Sequence, residues 1–425
     1  MALRNWAGNL TYSTGRVYAP DRLDRVPSIV KAEPKLRVLG TRHCFNPIAD
    51  SSDALLWLRA ADDDPVKVDR QKRTATFHAG MTYSQLCRTL NGQGFALHNL
   101  ASLPHISVAG ACSTATHGSG QKNGNLATAV AAFEIATASG KLVKLSRQKD
   151  GETFRGAVVG LGALGAITRI TLAVQPAFEM RQYVYENLPF QHVEKNFDAI
   201  EASAYSVSLF TDWRHRYANQ VWVKARREDG DLFDGPPEFF GAKRAIRKLH
   251  PVPGIPSEKC TEQMGMLGPW HERLPHFRPE CEPSAGEELQ SEYFVPRQHA
   301  VEAILAIDRL ARRLGDRMAK HLMISEIRTI AEDSLWLSPC YGRASVAIHF
   351  TWQPHLAAVE ELMPPIEKAL APFNPRPHLG KLFAMRPPEL RAAYEKLPDF
   401  IRLCDRFDPE RKFRNPFLER YIFGS

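Results

Sequence analysis

The chain has 425 residues, a length that favours two domains, and its 44% hydrophobic and 24% charged residues are typical of a globular enzyme. Its net charge of +8 is distributed among interspersed acidic residues, so the charge does not favour nucleic-acid binding. No apolar stretch reaches the length of a membrane span and the N-terminus lacks a signal region, so we expect a cytoplasmic protein without membrane contact.

The first candidate binding segment is a loop that follows a short apolar run. It contains Val38, Leu39, Gly40, Thr41, Arg42, His43 and Cys44. Glycine lets backbone N–H groups approach a phosphate or a ring closely, and the neighbouring imidazole can act as base, ligand or attachment point. The loop alone is a weak signal.

The seven cysteines are widely spaced and form neither a disulfide framework nor a C-x-x-C site, and no metal-binding motif is present. Cys87 lies on a helical apolar stripe with Tyr83, Leu86 and Leu90, which favours core packing over redox chemistry. We therefore expect reduced thiols and a site without metal.

A second glycine-rich stretch runs from Ala101 to Gly110 and continues from Thr114 to Gly120. Two such loops in one N-terminal domain indicate a large, rigid cofactor that carries phosphate. Residues 160–165 also match G-x-G-x-x-G, but the following β-branched alternation from Ala166 to Val174 predicts a strand. Because a dinucleotide fingerprint must open a helix, we reject a Rossmann fold here.

The pattern changes at about residue 178, where strands are predicted over Tyr205–Phe210 and Gln220–Lys224. The basic run Lys243–Lys248 is interpreted as a solvated helix face. A Pro- and Gly-rich excursion, from Arg226 to about Gly286, contains His271 and His276, whose simplest role is to order a long loop. A helix is predicted over 299–314, ending at Gly315.

Two later strands have polar residues on one face. Period two places Glu326 and Arg328 together in Met323–Ile330, and in Ser345–Trp352 it places His349 and Thr351 opposite an apolar face. Paired acceptors and donors suit a neutral ligand rich in hydroxyls. From the residues alone, the pair could equally be an ion pair or a solvated face, and His349 a hydrogen-bonded core histidine.

These motifs, with the opening Asn5-Trp6-Ala7-Gly8-Asn9, resemble the vanillyl-alcohol-oxidase flavoproteins, and specifically their alditol oxidase branch, along essentially the whole chain. The resemblance implies an α+β fold with a two-lobed FAD-binding domain of the PCMH type (1–177), a mixed α/β cap domain (178–381) and a C-terminal segment (382–425) that returns to the first domain. It also implies covalent FAD attachment at His43.

The resemblance implies a further set of site residues. FAD would be bound by the first loop and by Ser102, Ser107, Gly110, Thr114, Thr116, His117, Gly118 and Ile167. Substrate would be bound by Ser102, Glu326, Arg328, Thr351 and Lys381, with Lys381, Arg328, His349 and Glu326 catalytic. Ala101 would lie beside the route for oxygen. Leu379 stands where the family often has tryptophan, so we expect a different pocket wall.

The implied activity is oxidation of the terminal hydroxyl of a polyol such as xylitol or sorbitol, with hydride transfer to FAD and reduction of O2 to hydrogen peroxide. We expect a monomer whose partners are the polyol and O2. An aldonolactone oxidase or dehydrogenase of the same fold is the alternative. A third possibility is a protein without turnover, either a flavin scaffold or a basic nucleic-acid binder.

Overall fold

The computed structural model describes residues 2–227, 233–281 and 288–424. Within these ranges the strands form sheets of three, five and ten strands and a two-stranded ribbon. The strands are β1 (Val17–Tyr18), β2 (Arg37–Leu39), β3 (Leu55–Trp57), β4 (Lys67–Asp69), β5 (Thr74–His78), β6 (Phe95–Ala96), β7 (Val130–Ala136), β8 (Leu142–Ser146), β9 (Ala166–Ala173), β10 (Gln175–Pro176), β11 (Glu179–Pro189), β12 (Ser206–Thr211), β13 (Tyr217–Arg226), β14 (Glu238–Phe239), β15 (Ala242–Arg244), β16 (Gly268–Pro269), β17 (Leu289–Pro296), β18 (Leu322–Ile330), β19 (Ser345–Trp352) and β20 (Arg376–Pro377).

Helices separate and cover these sheets, which confirms the α+β class. The helices are α1 (Val26–Ala32), α2 (Tyr83–Gly92), α3 (Val108–Ser113), α4 (Arg147–Val158), α5 (Phe190–Glu201), α6 (Ala300–Leu314), α7 (Asp316–Ala319), α8 (Leu356–Leu370), α9 (Pro387–Ala393), α10 (Leu397–Phe407) and α11 (Pro416–Leu418). None of the described helices is long and apolar enough to cross a membrane.

The N-terminal part contains the two smaller sheets, one parallel in the order β1-β3-β2 and one antiparallel in the order β4-β5-β9-β7-β8. Strand β9 alternates between fully buried and more accessible residues, as expected for a strand with one face in the core. The strand predicted after the glycine turn is therefore confirmed, and a dinucleotide fingerprint is excluded at this turn.

Helix α2 lies beside the second glycine-rich loop. Thr82 caps it, because the Thr82 hydroxyl accepts from the Gln85 N–H while the Gln85 side chain accepts from the Thr82 N–H. The stripe of Tyr83, Leu86, Cys87 and Leu90 is buried, which confirms the predicted core packing of Cys87.

The ten-stranded sheet has the order β14-β15-β11-β13-β12-β18-β19-β17-β20, with β16 attached to β11. One face packs against the helices: Ile348 and Phe350 of β19 share a core with Ile304 of α6 and Ile366 of α8. The predicted helix is α6, which ends at Gly315 with a φ of 53°. The other face of β19 is also buried, since it is covered by the N-terminal part of the chain.

The basic run is not a helix, contrary to our prediction. Ala242–Arg244 forms β15, which pairs with β11 and follows a tight turn at Gly241, where φ is 84°. Backbone pairing within this hairpin outweighs the helical preference of the side chains. The predicted solvent exposure is correct, because Lys243, Arg244 and Arg247 are exposed. Parts of the excursion, residues 228–232 and 282–287, lie outside the described residues.

The C-terminal residues pack against the N-terminal part. The buried Arg37 guanidinium donates to the carbonyls of Phe413, Gly162, Leu161 and Ile48 at 2.6–2.8 Å. Lys412 Nζ donates to the Val30 and Ala138 carbonyls. The ten-stranded sheet lies between Glu179 and Pro377, while the domain limits themselves, 1–177, 178–381 and 382–425, stay a prediction.

Candidate active site

A cavity lies between the N-terminal glycine-rich loops and the polar face of the ten-stranded sheet. It encloses about 2000 Å³, including its open mouth. Among its lining residues are nearly all of those predicted from the sequence: Val38, Leu39, Gly40, Thr41, Arg42, His43, Cys44, Ala101, Ser102, Ser107, Gly110, Thr114, Thr116, His117, Ile167, Glu326, Arg328, His349, Thr351 and Lys381. The two halves of the predicted site are therefore brought together.

Gly118 is the predicted residue that does not line this cavity. A Cβ at this position would lie 2.3 Å from the Leu100 carbonyl oxygen and 2.6 Å from the Asn99 side chain. Glycine here allows two loop backbones to approach each other, so its role is to support the loop that carries His117. Leu379 is also absent from the lining and is buried in the core beneath it.

The two glycine-rich loops contact each other. The Ser107 N–H donates to Thr41 Oγ1 at 3.0 Å, and a Cβ at Gly40 would lie 2.1 Å from Ser107 Oγ. The opening motif supports the first loop from the other side, because Asn5 Nδ2 donates to the Cys44 carbonyl at 3.0 Å. Gly40 thus lets the two loops pack closely, and both loops line the cavity, where backbone N–H groups can contact a phosphate.

His43 has the environment of a reactive imidazole. Its ring stacks on Trp6 with centroids 5.0 Å apart, and neither buried ring nitrogen makes a hydrogen bond of normal geometry to a described residue. Burial lowers the pKa of His43 to about 3, so the ring is neutral at neutral pH. A neutral imidazole with an available lone pair can attack an electrophilic carbon.

The neighbours of His43, Arg42 and Cys44, line the cavity but are held by other contacts or stay uncharged. Arg42 has a left-handed φ of 63°, its guanidinium lies 4.6 Å from the Trp57 ring, and Nη1 donates to the Arg4 carbonyl. These contacts hold the Arg42 guanidinium against Trp57 and Arg4. Burial raises the pKa of the Cys44 thiol to about 11, so this sulfur stays protonated.

The opposite wall is a row of polar side chains across three strands. Glu326 of β18 is directly opposite His349 of β19, which is in turn opposite Glu292 of β17. Arg328 and Thr351 continue the same face above and below this row. The predicted alternation of both strands is therefore confirmed, and the Glu326 and Arg328 pair lies in the cavity and is not a solvated face.

Glu292 is the central residue that sequence reasoning missed. Its carboxylate, with no exposed side-chain surface, accepts from Arg328 Nη2 at 2.7 Å and from Lys381 Nζ at 2.8 Å, and it lies 3.2 Å from His117 Nε2. Although burial opposes ionisation, these cationic neighbours hold the pKa of Glu292 well below its usual range. The available signal was that Glu292 is the one charged residue of the strand Leu289–Pro296.

His349 is a neutral imidazole with open hydrogen-bonding capacity. Neither of its buried ring nitrogens has a partner among the described residues. Burial, with the Lys381 ammonium nearby, holds the pKa of His349 well below its usual value. A buried nitrogen without a partner is costly unless a ligand supplies one, so the cavity is built to receive a hydrogen-bonding group beside His349.

His276, in the excursion, also belongs to this site. Its Nε2 lies 2.8 Å from Glu326 Oε1, and its ring lines the cavity. The prediction that the excursion histidines only order a loop is therefore incomplete for His276. His271 is buried against Trp270 and does not line the cavity.

The site has the donor set and the glycine walls expected for a flavin cofactor, and comparison with known proteins supports this. A family model described as an FAD binding domain matches residues 16–146, and one described as D-arabinono-1,4-lactone oxidase matches residues 286–421. The chain is 45% identical over 425 residues to an alditol oxidase of a Streptomyces species, covering 100% of this chain and 99% of the relative. The chain belongs to the alditol oxidase branch of the vanillyl-alcohol-oxidase flavoproteins.

Membership of this family makes the chain an FAD-dependent oxidoreductase. A more distant relative is an L-gulono-1,4-lactone dehydrogenase of Mycobacterium tuberculosis, 24% identical with 98% of each chain covered. The crystal structure of cholesterol oxidase from B. sterolicum is similar in fold, with a TM-score of 0.78 at 14% identity over 99% of this chain and 96% of that one. The predicted two-lobed flavoprotein fold with a cap domain is thus confirmed.

Proposed function

We propose that this flavoprotein is an alditol oxidase, which oxidises the terminal hydroxyl of a polyol such as xylitol or sorbitol to the aldose and reduces O2 to hydrogen peroxide. The observation that supports this most strongly is the polar row opposite the flavin loops. It offers buried acceptors and donors side by side, which is what adjacent hydroxyl groups of one ligand need.

The charge of this row favours a neutral substrate. Glu292 and Glu326 balance Arg328 and Lys381, and all four side chains are at least 86% inaccessible. A substrate carboxylate would add an unpaired negative charge beside two buried carboxylates, which is costly in a site shielded from water. We therefore rank polyols above 2-hydroxy acids.

Each residue has a defined part in the proposed reaction. His349 accepts the proton of the C1 hydroxyl, since its ring is neutral and its nitrogens are open. Lys381 and Arg328 stabilise the negative charge that develops on that oxygen as the carbonyl forms. Glu326, Thr351 and Ser102 hold the remaining hydroxyls. When bound, FAD supplies the acceptor for the hydride that leaves C1.

We also propose that His43 carries FAD covalently and that the first and second loops bind the rest of the cofactor, together with Ile167 beside the glycine turn. The neutral, buried imidazole of His43 supports the attachment. Ala101, which is 7% exposed and lines the cavity, leaves room for O2 beside the ring.

An aldonolactone oxidase or dehydrogenase is the second candidate. The match of residues 286–421 to the D-arabinono-1,4-lactone oxidase model includes β17, β18 and β19, which carry the polar row. A sugar lactone is neutral and rich in hydroxyls as well, so the charge balance does not separate it from a polyol.

The deciding experiment is anaerobic titration of the purified protein with xylitol and, separately, with L-gulono-1,4-lactone. We expect xylitol to bleach the visible flavin absorbance and air to restore it with formation of peroxide. The Lys381→Ala variant should slow the bleaching far more than the reoxidation, because Lys381 contacts the substrate oxygen. Bleaching by the lactone alone would replace polyol oxidation with the second candidate, and a flavin that neither compound reduces would contradict both.

A further inference from the structure

A chain of three buried side chains leads from the excursion to the substrate wall. Lys224 of β13 contacts His276, which contacts Glu326 of β18, and these residues are 1%, 4% and 4% exposed. Lys224 Nζ lies 3.2 Å from His276 Nδ1, and His276 Nε2 lies 2.8 Å from Glu326 Oε1. Of these three residues, only Glu326 has a place in the proposed reaction.

The contacts of Lys224 determine where the histidine carries its proton. Lys224 Nζ donates to the carbonyls of Leu274 and Pro275 as well as to His276 Nδ1, so all three donors of the ammonium are used. Nδ1 must then be the acceptor nitrogen of the ring. In a neutral imidazole this leaves the proton on Nε2, which donates to Glu326.

The protonation states agree with this arrangement. Burial lowers the pKa of His276 to about 4, so its ring is neutral near neutral pH. Burial also lowers the pKa of Lys224 to about 7, opposed by the nearby Glu326 carboxylate, so the ammonium form predominates below that pH. The hydrogen-bond chain is therefore complete at about pH 6.

The ring of His276 is fixed in place from other sides as well. The rings of Phe210 and Trp222 meet it edge-on, with centroids 5.5 Å and 5.0 Å away. The backbone N–H groups of His276 and Phe277 both donate to the Ser102 carbonyl, at 3.2 Å and 3.3 Å. One residue thus connects the second flavin loop to Glu326.

We propose that His276, oriented by Lys224, is a positioning residue that fixes the Glu326 carboxylate and thereby sets the preference for longer polyols. His276 Nε2 donates to Glu326 Oε1. Glu326 Oε2 lies 3.6 Å from Arg328 Nε and remains available to substrate hydroxyls. Without this support the carboxylate could rotate, and the hydroxyls beyond C1 would lose a fixed acceptor. The inference about substrate rests on the proposed function, whereas the hydrogen-bond chain does not.

The first test is NMR of the flavin-bound protein with 15N-labelled histidine at pH 6, in which two-bond proton couplings identify the tautomer of each ring. The signal that disappears in His276→Gln assigns His276. We expect a neutral ring with the proton on Nε2, and we expect Lys224→Met to change the shift of Nδ1. A proton on Nδ1, or a charged ring, would refute the chain.

The second test compares kinetics on xylitol and on glycerol, which lacks the hydroxyls farthest from C1. His276→Leu should raise KM for xylitol about tenfold or more, the scale of one lost hydrogen bond to a charged group, and change glycerol oxidation much less. His276→Gln should retain most of the wild-type preference for xylitol over glycerol, because the glutamine amide can donate to Glu326 as His276 Nε2 does. Equal losses on both polyols in both variants would show a merely structural role.

These two tests separate the inference from the proposed function. A wild-type flavin that polyols do not reduce would refute alditol oxidation and, with it, the role in polyol preference. The tautomer would still confirm or refute the chain from Lys224 to Glu326. If the His276 variants misfold, Lys224→Met still tests the hydrogen-bond chain, because this substitution leaves the His276 ring and its packing in place.

Discussion

At the scale of single residues, the site depends on charges that are buried in pairs. Glu292 has contacts to Lys381, Arg328 and His117, which come from three separate parts of the chain. Removing one charged side chain leaves its partners as uncompensated buried charges. A substitution therefore changes the pKa values of the neighbouring side chains.

The Glu292→Gln substitution should act through Lys381. Burial lowers the pKa of Lys381 and the Glu292 carboxylate opposes this, so loss of the carboxylate lowers the pKa further. A lysine with a lower pKa loses its proton at a lower pH. We therefore expect the alkaline limb of kcat/KM for xylitol against pH to move to lower pH, and kcat/KM at neutral pH to fall about tenfold or more.

The matched control is Glu367→Gln. Glu367 is a second shielded carboxylate, which accepts from the Tyr293 hydroxyl at 2.8 Å and lies outside the cavity lining. Its substitution should leave the shape of the pH profile unchanged. A profile for Glu292→Gln that coincides with that of the wild type would refute the role of Glu292 as the countercharge of Lys381.

The His43→Ala substitution tests the covalent attachment. We expect the wild-type chain to retain flavin fluorescence on a denaturing gel, and the variant to release all of its FAD into acid or detergent. His105→Ala is the control, since His105 belongs to the second loop and bonds to the Pro279 carbonyl through Nε2. Yellow colour that stays on the denatured His43→Ala chain would place the attachment elsewhere.

Residue types and family resemblance predicted most of this site, and the exceptions have a common cause. Glu326, Arg328, His349 and Thr351 could be predicted because strand alternation places them on one face. Glu292 and His276 were missed because their partners are distant in sequence: Glu292 is 89 residues from Lys381, and His276 is 50 from Glu326. No local pattern records such pairs.

At the scale of elements, β19 has two functions on its two faces. His349 and Thr351 face the cavity, while Ile348 and Phe350 pack against α6 and α8. The alternation was clear from the sequence because each face has one chemical character. The basic run was predicted incorrectly, because charge content indicates solvent exposure and does not distinguish a helix from a hairpin strand.

The Ile348→Ala substitution tests the role of the helix-facing side. Ile348 is 0% exposed, so we expect its truncation to lower the free energy of unfolding by about 2–5 kcal/mol. Ile246→Ala is a matched control, since Ile246 is 91% exposed and its loss should change stability by no more than about 0.5 kcal/mol. Equal urea midpoints for the two variants would contradict the assigned packing.

At the scale of the whole molecule, the cavity exists only where separate parts of the chain meet. One wall comes from the glycine-rich loops before residue 120 and the turn before Ile167, and the other from β17, β18 and β19 together with His276 of the excursion. The fold class and the existence of a flavin domain were implied by the family resemblance that motifs in each part carry. How the excursion fits between them depended on packing and could not be predicted from its composition.

The Arg37 guanidinium has a consequence for biosynthesis. It joins the Phe413 carbonyl to the Leu161 and Ile48 carbonyls, across up to 376 residues of sequence. We expect the loops that surround the cavity to pack completely only after the region of Phe413 has emerged from the ribosome. We therefore expect cofactor loading to follow completion of the chain, because contacts between residues distant in sequence form late in folding.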